Sequence, residues 1–185
     1  MDRIEERVDP FCLFPCRFTP QERHSLTALY QRGDLKSRRL AASYIWAGHG
    51  VHGNRLFIFD MCDRMIPDRS GYVRSQALMT LGMYVETHPH NLWPLVLKWG
   101  SVKNYDIRAL IACFVLEHIL EYHFETFFPQ AVEYVEEGHR RFAYTLAYCW
   151  KFGQAEQPAN SEAFDSFVGK YFPKWLARRR KMKEA

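Results

Sequence analysis

The chain has 185 residues, a hydrophobic fraction of 48% and a formal net charge of +4. This composition excludes an intrinsically disordered protein, and the length fits one domain with at most a short appendage. No apolar run approaches the roughly 18–20 residues that a membrane span requires, and the charged residues 1–9 do not resemble a signal peptide. Five irregularly spaced cysteines indicate reduced thiols, so we expect a cytoplasmic protein that contacts no membrane.

The first 18 residues lack helical periodicity and are predicted to form an N-terminal arm. A helix is then predicted from residue 19, because Thr19 and Glu22 have the spacing of a capping box. Pro20 suits the first helical position, where its missing N–H group costs nothing. Gly33 is predicted to end this helix.

The remaining sequence repeats the helical pattern, with capping residues before apolar segments and glycines after them. Further helices are predicted over residues 34–46, 54–65, 70–86, 91–99, 104–122, 129–137 and 139–152, after residue 161 and over 173–183. No segment has the alternation of a strand, so the fold is predicted to be all-α. We expect a helical repeat domain over residues 19–153, followed by capping helices over 154–185 that end in a basic segment.

Four of the predicted helices open with an arginine at a nearly constant interval. These residues are Arg39, Arg74, Arg108 and Arg141, separated by 35, 34 and 33 positions. Self-similarity at this period is typical of stacked helix pairs, in which each pair buries its apolar face against the next. The sequence therefore predicts a short right-handed α–α superhelix of about four repeats.

Two segments carry a resemblance to a known family. Residues 68–81 follow the pattern Asp-x-x-x-x-Val-Arg-x-x-Ala-x-x-x-Leu, which resembles the second helix of a HEAT repeat, and residues 104–116 are similar. The resemblance is best over residues 68–152. In this family an Asp–Arg ladder joins consecutive repeats, so the arginines have two interpretations: internal pairing, or binding of phosphates or acidic groups on a partner.

Residues 99–108 resemble one junction of a catalytic branch of HEAT-like proteins, the DNA alkylation-repair glycosylases. The resemblance rests on Trp99, Tyr105 and Arg108. It implies DNA binding in which the arginines grip phosphates and an aromatic pair holds a damaged base. Asp106 or Glu117 would then stabilise cationic character on the sugar.

Motifs for other chemistry are missing from the sequence. There is no HExxH, no two-Cys-two-His set, no GxGxxG or GxxxxGK[ST] loop and no GxSxG elbow. We therefore expect no metal, no cofactor and no catalytic residues. The preferred interpretation is a non-catalytic scaffold that binds a partner protein through its concave face, and the alternative is a DNA-binding protein. The binding residues expected are Arg74, Arg108, Arg141, Trp99, Tyr105 and Asp106.

Overall fold

The computed structural model describes residues 17–175. Within this range the regular structure consists of nine α-helices and short 3₁₀ and π turns, with no strand, which confirms the all-α prediction. The chain divides into two compact units, the first ending at Met83 and the second beginning at Tyr84. Most of the predicted N-terminal arm and the basic segment 178–183 lie outside the described residues.

The first unit contains four helices whose starts follow from local capping chemistry. They are α1 (Pro20–Gln31), α2 (Leu35–Ala47), α3 (Arg55–Met65) and α4 (Gly71–Gly82). The capping box is present: Thr19 Oγ1 accepts the N–H of Glu22 at 3.2 Å, and the Thr19 N–H donates to the Glu22 carboxylate at 2.8 Å. Asp34 caps α2 in the same way, accepting the Ser37 N–H at 2.8 Å.

A buried asparagine fixes the connection between α2 and α3. The Asn54 carboxamide accepts the Phe18 N–H at 2.8 Å and donates to the Gly48 carbonyl at 3.1 Å. These bonds satisfy a polar side chain that solvent does not reach. The apolar core around it packs α2 against α1 and α4, and its fully buried members include Ile45, Ile58, Met61, Met65 and Leu78.

The second unit contains five helices. They are α5 (Pro89–Gly100), α6 (Tyr105–Ile111), α7 (Glu117–Glu136), α8 (Arg140–Tyr148) and α9 (Pro158–Tyr171). A π-helical turn, Ala112–Leu116, joins α6 to α7 without a loop. The core is largely aromatic: Phe127 packs against Trp93 with ring centroids 4.9 Å apart, and Phe128 stacks on Phe164 at 5.7 Å.

The predicted helix start at Pro129 is wrong, because α7 runs through this proline. The backbone breaks earlier, at His123, where φ is −140° and ψ is 38°. Contacts from the segment that follows α8 account for the position of the break. The Phe124 N–H donates to Gln154 Oε1 at 2.8 Å, and Gly153 packs directly on the backbone of Glu121.

Helix α8 ends at Tyr148, four residues before the predicted end at residue 152. Cys149 adopts an extended conformation, with φ −64° and ψ 135°. The N–H of Trp150 consequently leaves the helical pattern and donates to the Glu117 carboxylate at 3.0 Å. This early end brings Trp150 and Phe152 to the surface of the second unit beside α7.

Candidate functional site

Two of the predicted site arginines clamp a loop to the helix that follows it. Arg74 is the fourth residue of α4, and its Nη1 donates to the carbonyls of Asp68 at 2.8 Å and Arg69 at 3.1 Å. Arg108 is the fourth residue of α6, and its Nη1 donates to Val102 at 2.8 Å and Lys103 at 3.1 Å. Both side chains therefore satisfy carbonyls five and six residues upstream, and each is half-buried.

The counterpart of these residues on α2 is Arg38, and not the Arg39 of the sequence series. Arg38 is the fourth residue of α2, donates to the Gly33 carbonyl five residues upstream, and pairs with the buried Asp68 carboxylate at 2.9 Å. Arg39 is exposed, and its guanidinium lies 5.6 Å from the Tyr72 ring. One residue along a helix rotates a side chain by about 100°, so the two arginines serve different surfaces.

Arg141 does not share this position either. It is the second residue of α8 and is exposed, whereas the fourth residue is the buried Ala143. The equivalent clamp is thus present on α2, α4 and α6 but not on α8. Arg141 retains a side chain that faces solvent, as a binding residue requires.

Exposed aromatic side chains gather around Arg108 on α6 and α8. Tyr105 is 56% exposed and meets Tyr148 edge-on with ring centroids 5.4 Å apart. The Arg108 guanidinium lies 5.7 Å from the ring of Tyr144, which is 47% exposed. Burial, followed by a hydrogen bond with Tyr105, raises the pKa of Tyr148. We call Tyr105, Arg108, Tyr144 and Tyr148 the aromatic patch.

The other two predicted site residues lie at the edges of this region. Asp106 is exposed in the first turn of α6, where a carboxylate interacts favourably with the helix dipole. Trp99 is half-buried near the end of α5, with the Lys98 ammonium 4.8 Å from its ring. Asp106 therefore adjoins Tyr105 of the patch along the chain, while Trp99 belongs to the preceding helix.

A buried carboxylate lies beside further exposed aromatic residues at the start of α7. Glu117 is 6% exposed and accepts the Trp150 N–H, while the Trp150 side chain is 46% exposed. His118 Nδ1 lies 2.8 Å from Glu121 Oε2, and its ring stacks on Phe152 at 6.3 Å. Burial, followed by the charge of Glu117, raises the pKa of the Cys113 thiol.

Sequence reasoning did not select Tyr144, Tyr148 or Phe152. Tyr144 and Tyr148 are four residues apart, a spacing that places two side chains on one face of a helix and was available in the sequence. No sequence signal marks Phe152, because it was predicted to be the last residue of a longer helix. Its exposure depends on the end of α8 at Tyr148.

Over residues 17–175, no group of three or more His, Cys, Asp or Glu side chains is arranged to hold a metal ion. No helix in that range combines the length and the apolar character needed to cross a membrane. Cys62, Cys113 and Cys149 are free thiols. Comparisons with protein-family models, with curated proteins and with solved structures gave no significant match.

Proposed function

We propose that this chain is a non-catalytic helical-repeat scaffold that binds a partner protein through the aromatic patch. The observation that carries the proposal is the pair of half-exposed tyrosines, Tyr105 and Tyr144, held on neighbouring helices by contacts with Tyr148 and Arg108. Aromatic residues that are already fixed lose little conformational entropy on binding, and tyrosine and arginine are enriched among the residues that dominate interface energies.

The proposal includes the architecture expected from the sequence, a short right-handed superhelix of about four HEAT-like repeats with the binding residues on its concave face. The recurrence of the arginine clamp at the fourth position of α2, α4 and α6 supports it. The ion pair between Arg38 and Asp68 supports it as well, since the HEAT resemblance implies Asp–Arg pairing between repeats. A cytoplasmic partner fits the three free thiols.

Charged residues at the edge of the patch indicate what kind of partner surface it suits. Asp106 and Arg141 are exposed on the same two helices, α6 and α8, that supply the tyrosines. A rim of both charge signs around an aromatic centre is the composition of an ordinary protein interface. Arg74 belongs to the first unit, where its guanidinium holds the loop before α4, so we give it a structural role within the scaffold.

Affinity capture with matched baits tests this function. The baits are wild-type protein, a Tyr105→Ala/Tyr144→Ala double variant and a Tyr122→Ala control, in which an exposed tyrosine outside the patch is removed. We expect wild type and the control to capture the same partner protein in equal amounts. The double variant should capture at least about tenfold less of it, since hot-spot truncations cost about 2 kcal/mol or more. Equal capture by all three baits would contradict the proposal.

DNA binding is the second candidate, and a separate observation favours it. The buried Glu117 carboxylate lies next to the exposed Trp150, which places an acid beside an aromatic surface on which a base can stack. Fluorescence anisotropy of labelled duplex DNA, intact or with an abasic analogue, tests it. Binding that weakens with salt and is lost in Trp150→Ala but kept in Tyr122→Ala, which removes another exposed aromatic residue, would favour DNA over a protein partner.

A further inference from the structure

Two arginine side chains of the first unit converge on one peptide group between α2 and α3. The Nη2 of Arg23 donates to the Gly53 carbonyl at 2.7 Å. A Cβ atom on Gly53 would lie 2.9 Å from the Nε of Arg17, which places this side chain directly beside the Gly53 backbone. Both guanidinium groups therefore lie against Gly53, although like charges at close range repel.

Neither arginine forms an ion pair with any carboxylate of the described residues. Among residues 17–83, four of the five acidic side chains have other partners: Glu22 bonds to Thr19, Asp34 to Ser37, Asp60 to Arg64 and Asp68 to Arg38. None of these four carboxylates therefore neutralises the two guanidinium groups at Gly53.

The Arg23 guanidinium is held in place from a second side. It lies 5.6 Å from the centre of the Phe57 ring, which itself packs edge-on against Phe18 at 6.0 Å. The contact with the ring holds the guanidinium group in place without neutralising its charge.

From this arrangement we propose that Arg17 and Arg23 form a binding site for a single phosphate dianion, as carried by a phosphomonoester. The guanidinium fork matches phosphate oxygens, and two such forks neutralise two negative charges. Both side chains converge on one peptide group, which favours one phosphate over the row of phosphates in a nucleic acid. The site belongs to the first unit and does not depend on the partner surface proposed for the second.

Calorimetric titration of the full chain with inorganic phosphate, at constant ionic strength set with chloride, tests the site. We expect saturable binding by wild type, and a dissociation constant raised by about tenfold or more in Arg17→Gln/Arg23→Gln, since hydrogen bonds to charged groups contribute about 1.5–3 kcal/mol. Arg32→Gln is the matched control, because it removes an exposed arginine at the end of α1. Its dissociation constant should stay at the wild-type value.

Circular dichroism without phosphate checks that the variants fold. If the double variant unfolds, Arg17→Gln alone is used, because Arg17 is exposed and makes no hydrogen bond within the described residues. No saturable binding by wild type, or equal binding by wild type and a folded Arg17→Gln variant, would overturn the proposal.

Further titrations identify the source of the phosphate. A sugar phosphate and a phosphoserine peptide are each compared with their unphosphorylated form, and the tighter binder identifies the source as a metabolite or a modified protein. Either result supports the site if the Arg17→Gln/Arg23→Gln variant no longer binds the phosphorylated ligand. Duplex DNA is the third ligand, and binding to it with the salt dependence of several phosphate contacts, lost in the same variant, would overturn the single-phosphate site.

Discussion

Thr145 is a single residue on which the packing of α8 against α5 depends. Its buried Oγ1 donates to the Gly100 carbonyl at 2.6 Å, satisfying a carbonyl at the end of α5. We predict that Thr145→Val lowers the free energy of unfolding by about 1–3 kcal/mol, because the carbonyl loses its partner while the volume is kept. Chemical denaturation measures the change. Thr145→Ser keeps the hydroxyl, so a loss from Thr145→Ser equal to that from Thr145→Val would contradict this account.

Tyr30 couples stability to alkaline pH. Burial, together with the Asp68 carboxylate to which its hydroxyl donates at 3.1 Å, raises the pKa of Tyr30 to about 12. The unfolded tyrosine ionises near its ordinary pKa of about 10, so the stabilisation is complete below pH 10 and lost as the pH approaches 12. We predict that wild type loses unfolding free energy over this range relative to Tyr30→Phe. Parallel pH profiles of the two proteins would contradict the assignment.

At the residue scale, the sequence identifies the kind of residue better than its exact position. The recurrence of arginine was visible, and two of the four arginines, Arg74 and Arg108, occupy the repeated clamp position. Arg38 could not be separated from its neighbour Arg39 by periodicity alone. What separates them is the pairing of Arg38 with Asp68, a contact between residues 30 positions apart.

At the scale of the helix, the kink in α7 is held by the segment after α8. Gly153 has φ +49°, and a Cβ atom there would lie 2.7 Å from the Glu121 carbonyl oxygen. We predict that Gly153→Ala destabilises the protein by more than about 1 kcal/mol, from backbone strain and this clash together. Thermal unfolding measures the shift.

Gly138→Ala is the control for this prediction. Gly138 also has a positive φ, +112°, but nothing lies within 4 Å of a Cβ atom added there. Because +112° is further from the left-handed helical region than +49°, Gly138→Ala tests a larger backbone strain in the absence of a clash. We nevertheless expect Gly153→Ala to destabilise the protein more, and a smaller shift for Gly153→Ala than for Gly138→Ala would show that contact with Glu121 is unimportant.

The same kink shows where prediction of the elements fails. Local capping signals placed the starts of α1 and α2 correctly, because Thr19 and Asp34 bond to groups three residues away. Pro129 suggested a helix start, yet the break is at His123, where the partner of the Phe124 N–H is the distant Gln154. Contacts that are local in sequence were therefore predictable, while those that depend on tertiary packing were not.

On the scale of the whole molecule, a small excess of positive charge is shared by both units: residues 1–83 contain twelve Lys and Arg against nine Asp and Glu, and residues 84–185 contain thirteen against twelve. Net charge therefore does not single out the aromatic patch for phosphate backbones. The Arg108 guanidinium in the patch already donates to the carbonyls of Val102 and Lys103, which disfavours its use in phosphate contacts. We predict that Arg108→Gln leaves the affinity for duplex DNA unchanged at ~150 mM salt, measured by anisotropy. A clear loss of affinity would favour the DNA alternative.

Binding of a partner protein by Tyr105 and Tyr144 is measured by calorimetric titration of this chain with the purified captured partner. We predict that Tyr105→Ala and Tyr144→Ala each weaken binding by about tenfold or more, while Tyr122→Ala and the phosphate-site variant Arg17→Gln/Arg23→Gln bind as wild type does. Thermal midpoints matched to wild type confirm that each variant is folded. Wild-type affinity in both patch variants would contradict the claim.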